Sequence, residues 1–409
     1  MSDVFVIGVG MTAFGKFPNR SVKDLTRDSV EQALRDAGCN IADIEAAWFS
    51  NTTQRVMEGQ YLIPGQIALG AMGFEQIPII NVENACASAG TALFEGRNYL
   101  KAGLADVVLV VGAEKMYSED RDSMFRVFDG GWDVHRADEL YAGLVKLGEG
   151  MSVPDHQNGG PRSVFMDIYA AMARFHMKTW GTTQRQLAAV SAKNHDHSTM
   201  NPLSQYRDSM TIEDVLAART VCWPLTLPMC APISDGAAAA VLCTADALKR
   251  FNRTRAIRVL ASVIGTAVRR EPDDVDRHVT RLAALKAYEQ AGIGPQDISV
   301  AELHDATAFA EIQQTENMGF CNFGEGGVLV ESGATRLGGR LPINVSGGLE
   351  SKGHPIGVTG LAMIHELTLQ LRGEAGQRQV ADAQFGLAEN GGGNNGLEEA
   401  TACITILGR

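Results

Sequence analysis

The chain carries one helix–strand pattern twice, and this duplication limits its fold more than any other feature. In the first copy a predicted helix ends on Ala-Gly at residues 37–38, an Asp-Ile pair follows, and an apolar strand covers residues 46–49. The second copy repeats these features at the same spacing, with the helix end at residues 291–292 and the strand at residues 300–303. An Ile-Asn-Val segment also recurs later in each copy. The shared order predicts two related α/β halves.

Helical and apolar segments alternate along both halves, which is typical of helices layered on sheets. Further strands are predicted at residues 4–9, 107–111, 237–243, 257–263 and 402–407. We divide the chain into an N-terminal half, residues 1–256, and a C-terminal half, residues 257–409. The first half holds a methionine-rich insertion, about residues 116–221. It is predicted to form a helical subdomain with its own core, or a lid that adapts to an apolar substrate.

Charge and cysteine content exclude several classes of protein. The formal net charge of −12 argues against a nucleic-acid surface. Seven cysteines occur without a CxxC pair, so we expect free thiols in a reducing compartment and no metal site. The N-terminus does not resemble a signal peptide, and the most apolar run, residues 107–111, is too short to span a bilayer. We therefore expect a cytoplasmic protein without a membrane partner.

One cysteine stands at a position suited to chemistry. Cys86 follows the apolar residues 79–82 and precedes small residues that predict the first turn of a helix. Unpaired backbone N–H groups and the positive end of the helix dipole favour a thiolate there, and the thiolate is the form that attacks carbonyl carbons. An inert buried cysteine is the alternative that this context leaves open.

Two histidines lie far along the chain in suggestive surroundings. His304 ends the strand of the second copy, and Asp305 is placed to cap the following helix. His354 lies between glycines that allow tight turns and a close approach to a ligand. A cysteine with distant histidines is a known but loose pattern for nucleophilic catalysis, and structural histidines are the alternative.

Together, these segments resemble the thiolase superfamily, in the branch of the sterol-carrier-protein-type thiolases and the archaeal acetoacetyl-CoA thiolases. The segments that resemble its catalytic motifs are NACASAG (84–90), HDATAF (304–309), GGLESKGHPIGVTG (347–360) and NGGGNNG (390–396). Three other segments agree with the same branch: GVGMTAFGKF (8–17), AKNHDHSTMNPLSQYRD (192–208) and MCAPISDGAAAAVL (229–242). The matches follow one order and span nearly the whole chain.

The resemblance implies the thiolase fold, in which two duplicated halves pack as a five-layer αβαβα sandwich. It also implies that Cys86 forms an acyl-enzyme, that His354 takes the thiol proton, and that His304 binds a thioester oxygen. The glycine run Gly391, Gly392 and Gly393 is expected to supply a backbone N–H opposite that of Cys86, which completes an oxyanion hole.

The chain departs from the family at the second catalytic cysteine. Family members carry this acid/base either after the His-Asp pair or before the final glycine run, where this chain has Ala306 and Glu389. Glu389 is a candidate substitute, because a carboxylate with a suitably shifted pKa can exchange protons near neutral pH. The alternative is a structural carboxylate, with His304 or a held water as the acid/base.

The leading hypothesis is a CoA-dependent thiolase that cleaves an unusual 3-oxoacyl-CoA, with a branched, aromatic or carboxylated acyl group. The alternatives are a related acyltransferase or aldolase-like enzyme, and a scaffold subunit whose partner holds the chemistry. We expect no permanently bound cofactor, coenzyme A as a substrate, and a homodimer or dimer of dimers. A small zinc-ribbon/OB-fold partner protein is also implied by the resemblance. Basic residues 249–255 are one candidate CoA contact, although a solvated connection between the halves is the preferred interpretation.

Overall fold

The computed structural model describes residues 3–151, 153 and 162–409. Its strands are β1 (Val4–Met11), β2 (Ala46–Ser50), β3 (Ile79–Val82), β4 (Val107–Glu114), β5 (Thr220–Cys222), β6 (Leu225–Thr226), β7 (Gly236–Thr244), β8 (Ile257–Thr266), β9 (Val300–Glu302), β10 (Phe385–Gly392) and β11 (Thr401–Gly408). The five further strands predicted from the sequence lie within β1, β4, β7, β8 and β11.

Helices occupy most of the segments between these strands. They are α1 (Val22–Ala37), α2 (Gln54–Met57), α3 (Pro64–Gly70), α4 (Ser88–Lys101), α5 (Arg121–Asp129), α6 (Ala137–Leu147), α7 (Val164–Trp180), α8 (Gln184–Thr199), α9 (Ile212–Ala217), α10 (Val279–Ala291), α11 (Ala308–Asn317), α12 (Gly326–Glu331) and α13 (Thr359–Arg372). In the part of the chain that the structure describes, no helix has the length and apolar character needed to cross a membrane.

The strand order shows the duplication directly. Nine strands follow the order β3-β2-β4-β7-β1-β8-β11-β10-β9, so each half runs outward from its own first strand, β1 or β8. These two strands meet at only two pairs, Phe5 with Arg258 and Val6 with Ile257. Ile343 forms a parallel bridge to Ala301 of β9, in the place that β3 takes beside β2. The two halves therefore share one topology.

The repeated sequence pattern has the same local structure in both halves. Helices α1 and α10 each end at a glycine in the left-handed region, Gly38 with φ 68° and Gly292 with φ 72°. Glycine adopts this conformation without the steric cost that a Cβ brings. A short 3-10 turn follows each glycine and leads into β2 or β9. The sequence pattern thus encodes a helix stop and a strand start.

Three apolar cores separate the layers. Helices α4 and α13 contact each other and pack against strands of both halves, which places them in a central layer. Helix α1 covers the outer face of the first half's strands, and α10 covers the outer face of the second half's strands. This arrangement is the five-layer αβαβα sandwich predicted from the sequence. Helices α5 to α9 form the insertion between β4 and β7, over the central layer.

Candidate active site

Cys86 lies in the turn between β3 and α4. Ala85, just before it, has φ 49°, a left-handed conformation that non-glycine residues seldom adopt outside functional sites. The Ser88 hydroxyl holds the turn, because its oxygen accepts the N–H of Asn84 at 2.7 Å and its proton goes to the Ala85 carbonyl at 2.6 Å. The strand–turn–helix geometry expected around Cys86 is present, and the turn presents the thiol toward the second half.

The structure brings Cys86, His304 and His354 together. The Cys86 Sγ and one ring nitrogen of each histidine lie within 4.8 Å of one another. The two imidazole rings meet edge to face, with their centroids 5.1 Å apart. The thiol comes from the first half and both imidazoles come from the second, so the site exists only where the halves meet.

His354 is held so that it can accept a proton. Its backbone N–H donates to Ser234 Oγ at 3.0 Å, and its Nδ1 lies 2.8 Å from Thr359 Oγ1. The Thr359 hydroxyl proton is directed to the Pro355 carbonyl, so Oγ1 accepts from Nδ1–H. The lone pair of Nε2 is then free for the Cys86 thiol.

His304 is held in the opposite tautomer. The Asn390 side-chain amide donates to the Cys86 carbonyl at 2.9 Å, which fixes the orientation of the amide. The same nitrogen lies 3.4 Å from His304 Nδ1, which must accept. The proton of neutral His304 is therefore on Nε2, where it can be donated to a substrate oxygen.

Burial favours the neutral form of all three groups. It lowers the pKa of His304 to about 3 and that of His354 well below the ordinary value, with His304 adding to the effect on His354. Burial also raises the pKa of the Cys86 thiol to about 12, and Glu114 adds to it. Desolvation therefore acts against the thiolate that the helix end alone favours.

Two backbone N–H groups lie near the Cys86 sulfur. The amides of Cys86 and Gly393 lower its pKa, against the larger effect of burial. Gly392 permits this approach, since a Cβ there would lie 2.4 Å from the Ala87 nitrogen. Gly391, by contrast, packs beside Glu399, away from the thiol. Within the predicted run of Gly391, Gly392 and Gly393, the amide near the sulfur is therefore that of Gly393, and its role in an oxyanion hole stays a prediction.

Glu389 lies behind this site, outside the walls of the active-site cavity. Its Oε2 accepts the backbone N–H of His304 at 2.9 Å, and Oε1 has no hydrogen-bond partner among the described residues. Burial, followed by the charge of Glu399, raises its pKa well above the ordinary value. The side chain touches the catalytic group from behind, a position suited to holding His304 in place.

Asp305 does not cap the helix that follows it, contrary to the sequence prediction. Helix α11 has Thr307 as its N-cap, without a side-chain cap. The Asp305 carboxylate instead accepts the Leu349 N–H at 2.7 Å and the Asn194 side-chain amide at 2.9 Å. It is fully buried beneath the His354 loop, where those donors compensate its desolvation.

A cavity of about 950 Å³ opens onto the three catalytic candidates. The insertion builds much of its apolar wall, through Met124, Phe125, Phe128, Phe165, Met166, Tyr169 and Met210. Other residues of the insertion, such as Met172 of α7, are buried in the central core. The insertion therefore both supplies core and covers the site. Predictions that fall on residues 152 and 154–161 lie outside the described residues.

Cationic side chains mark the rim of this cavity. Lys16, Arg121 and Arg219 line it and are exposed, while Arg162 is bound by Asp167 at 2.7 Å. Residues 249–255 do not line it. There Lys249 pairs with Asp246, and Arg255 pairs with Asp36 and Glu374. That basic segment lies between β7 and β8.

Two buried carboxylates that support the site were missed from the sequence. Glu114, at the end of β4, accepts the N–H of Gly357 at 2.9 Å and so fixes the His354 loop against the first half. Asp235 accepts the N–H groups of Met116 and Tyr117 and pairs with Lys115 at 2.7 Å. Glu114 is the last residue of the long buried strand β4, and Asp235 directly precedes the long buried strand β7. A carboxylate at the end of such a strand was the signal available in the sequence.

Family models match both halves of the chain. The model for the thiolase N-terminal domain matches residues 4–221, and the thiolase C-terminal domain-like model matches residues 262–409. An acetyl-CoA acetyltransferase of Methanothermobacter thermautotrophicus is 37% identical over 413 residues, which cover 100% of each chain. Sterol carrier protein 2 of Bos taurus is 37% identical over 396 residues, 95% of this chain and 69% of that protein.

Solved structures show the same fold at lower identity. The Ltp2-ChsH2(DUF35) aldolase has a TM-score of 0.78 at 23% identity, over 99% of this chain and 97% of that one. Human mitochondrial 3-ketoacyl-CoA thiolase in complex with CoA has a TM-score of 0.69 at 15% identity, over 100% and 98%. With both family models matched and a full-length relative above 30% identity, the chain belongs to the thiolase family of acyl-CoA acyltransferases.

Proposed function

We propose that the chain is a CoA-dependent thiolase that cleaves a 3-oxoacyl-CoA through an acyl-enzyme on Cys86. The observation that carries this proposal is the hydrogen bonding around one thiol, from which the two histidines are assigned opposite tautomers. His354 presents a lone pair to the thiol, and His304 presents an N–H to an oxygen. Thioester chemistry needs such an acceptor and such a donor on either side of one sulfur.

The reaction then proceeds by ordinary acyl-transfer steps. His354 takes the Cys86 proton as the sulfur attacks the 3-oxo carbon, so attack and deprotonation occur together. The amides of Cys86 and Gly393 stabilise the resulting oxyanion, and His304 donates to the oxygen of the departing thioester enolate. Coenzyme A next attacks the acyl group on Cys86, which leaves as thiolate and recovers its proton from His354.

The lining of the cavity suits a substrate with a bulky acyl group and the anionic phosphates of coenzyme A. Its wall of phenylalanine and methionine side chains suits a branched or aromatic chain, because methionine adapts to irregular apolar surfaces. The exposed cations Lys16, Arg121 and Arg219 at the rim suit the phosphates of coenzyme A. We assign the rim to coenzyme A and the inner wall to the acyl chain.

A second candidate is an aldolase-like reaction, which breaks a carbon–carbon bond without acylating Cys86. The observation that favours it is the absence of the second cysteine at Ala306 and Glu389. One structural neighbour is named an aldolase. A scaffold role is less favoured, because Cys86, His304 and His354 converge within this one chain.

The purified chain alone should be assayed with a panel of 3-oxoacyl-CoAs and free CoA, with products identified by mass spectrometry. A thiolase converts each substrate it accepts into two acyl-CoAs and consumes CoA. An aldolase instead acts on a 3-hydroxyacyl-CoA to release an aldehyde or ketone and one acyl-CoA, with no use of CoA. Activity that appears only after a second protein is added would support the scaffold role. The Cys86→Ser chain is the matched control.

We also propose a symmetric homodimer formed at the β3 edge, either alone or paired again into tetramers. Strand β3 ends the sheet, and Tyr61, Leu62, Ile63 and Ile80 are exposed nearby. An exposed apolar strand edge is a typical site of pairing with another chain. A small zinc-ribbon/OB-fold protein is proposed as a further partner, since the Ltp2-ChsH2(DUF35) aldolase is named for two components. Light scattering, with and without such a protein, tests both.

A further inference from the structure

Cleavage of a 3-oxoacyl-CoA leaves a carbanion that some acid must protonate. The two positions where the family carries a cysteine for this step are Ala306, which has no proton to give, and Glu389, which lies outside the cavity wall. His304 has its Nε2 proton committed to the enolate oxygen in the proposed reaction. A further proton donor must therefore face the cavity.

Tyr169 of α7 is the side chain whose placement meets this need. It lines the cavity with Cys86 and both catalytic histidines, and only 6% of its surface is exposed. Its ring belongs to the central apolar core. Within the described parts of the chain its hydroxyl makes no hydrogen bond, although a buried tyrosine hydroxyl usually has a partner. The hydroxyl is thus left for a ligand.

The surroundings of Tyr169 keep the hydroxyl protonated. Burial raises its pKa well above the ordinary value, and the neighbouring Glu399, Cys86, Glu389 and Asp305 add to the shift. A carbanion next to a thioester is a far stronger base than a phenolate, so a neutral phenol remains acidic enough to protonate it. The same phenolate is basic enough to deprotonate the thiol of coenzyme A.

Three other possible proton donors in the cavity wall, on Glu350, Cys230 and Tyr206, are already engaged or lie at the rim. The Glu350 carboxylate accepts from Ser191 at 3.2 Å and from Asn194 at 3.4 Å. The Cys230 thiol donates to the Thr226 carbonyl at 3.5 Å. Tyr206 is 43% exposed. Among these groups, Tyr169 combines burial, a free hydroxyl and a position beside the nucleophile.

We propose that Tyr169 is the catalytic acid/base that replaces the missing second cysteine, an inference that rests on the thiolase function proposed above. When the bond between carbons 2 and 3 breaks, the electron pair stays on carbon 2 and the Tyr169 hydroxyl proton moves to it. The phenolate then takes the thiol proton of the incoming coenzyme A. The CoA thiolate attacks the acyl group on Cys86, and Tyr169 is neutral again. Protons balance over the cycle without an added reactant.

Exchange of the carbon-2 protons of acetyl-CoA and propionyl-CoA in D₂O isolates this step, and NMR follows it. Tyr169→Phe should slow exchange by about 10²- to 10⁴-fold. Acylation of Cys86 by 4-nitrothiophenyl acetate should stay within about threefold of wild type, because no carbanion forms and its weakly basic thiolate leaves without a proton. The matched control is Tyr141→Phe, the same chemical change at an exposed side chain of α6.

Exchange by Tyr169→Phe at the wild-type rate would overturn the proposal, as would loss of exchange in Cys230→Ala but not in Tyr169→Phe. Equal loss of exchange and acylation in Tyr169→Phe would also overturn it, because that result indicates a damaged site. Circular dichroism and thermal unfolding check the fold of each variant. A wild-type chain that neither acylates Cys86 nor cleaves any 3-oxoacyl-CoA would instead remove the proposed function itself.

Discussion

The two halves use one strand–loop–helix unit for opposite chemical purposes. In the first half a short turn, residues 83–87, joins β3 to α4 and puts a thiol beside the helix start. In the second half the matching connection, residues 344–358, is longer and includes one π-helical turn, Gly348–Lys352. It places His354 opposite that thiol. The helices that follow, α4 and α13, pack together in the central layer.

The difference shows how a duplicated fold can acquire a site that neither half holds alone. The shared unit fixes where each loop emerges, and loop length decides which group reaches the junction. Cross-half contacts then lock the arrangement, such as the Glu114 carboxylate on the Gly357 N–H and the Asn390 amide on the Cys86 carbonyl. Substitutions in the first half, which carries Cys86 (the nucleophile half), and in the second half, which carries both histidines (the histidine half), should therefore affect turnover in different ways.

The largest expected effect is in the nucleophile half. Cys86→Ser should lower turnover by about 10⁴-fold or more, because the hydroxyl is a much weaker nucleophile than the thiol at the same position. The substitution is small, so thermal unfolding should change by only a few degrees. Steady-state assays and calorimetry measure both. Residual turnover above about 1% of wild type would mean that Cys86 is not the nucleophile.

Substitutions of the two histidines should distinguish His354, which accepts a proton, from His304, which donates a hydrogen bond. His354→Gln should lose about 10²- to 10⁴-fold in kcat, because glutamine cannot take the thiol proton. His304→Gln should stay within about tenfold of wild type, because its amide N–H can still donate, whereas His304→Ala should lose about 10²-fold. Equal losses for the two glutamine variants would contradict the opposite tautomers.

A smaller effect concerns the protonation of the Cys86 thiol in the free enzyme, which sets its rate of alkylation. Because burial raises the pKa of Cys86 to about 12, its alkylation by iodoacetamide should accelerate about tenfold per pH unit from pH 7 to 10. Cys86 should still react before the other six cysteines, since two amides and His354 assist its ionisation.

Two outcomes would contradict this account of the resting state. A rate plateau near neutral pH would show a resting thiolate–imidazolium pair instead of two neutral groups. Uniform labelling of all seven cysteines, read by peptide mass spectrometry, would remove the special reactivity of Cys86.

The smallest effect is on stability and belongs to the second half. Burial raises the pKa of Glu399 to about 7, so stability fully present below about pH 4.5 is lost as pH rises through 7. Glu399→Gln should abolish this loss and stabilise the chain above pH 7 by about 3 kcal/mol at most. Thermal unfolding from pH 4.5 to 8 measures it, with the surface variant Glu289→Gln as control. An equal pH dependence in Glu399→Gln and wild type would contradict the assignment.

Patterns with a local cause could be predicted from the sequence. The helix stops at Gly38 and Gly292 need a left-handed residue, and both were found. The meeting of Cys86 with His304 and His354 followed from family motifs, since the separation of these residues along the chain hides their contact. The position of the division between the halves, at residue 257, stays a prediction, although β8 begins there.

Features set by long-range packing could not be predicted. Asp305 precedes a helix and resembles a cap, yet buried donors of the His354 loop bind it instead. Glu389 stands where the family has a cysteine, but its side chain does not line the cavity. It accepts the backbone N–H of His304 instead. Tyr169 has no local motif at all, because only the fold of the insertion brings α7 over the thiol.

The central claim is that the junction of the halves makes Cys86 carry the acyl group. The most direct test is mass spectrometry of the chain, quenched in acid after brief exposure to a 3-oxoacyl-CoA without added CoA. The account predicts a mass increase equal to the acyl group cleaved at carbon 3, located on the peptide that contains Cys86 and absent from Cys86→Ser. Turnover of the same substrate with Cys86 unmodified at every time point would contradict it.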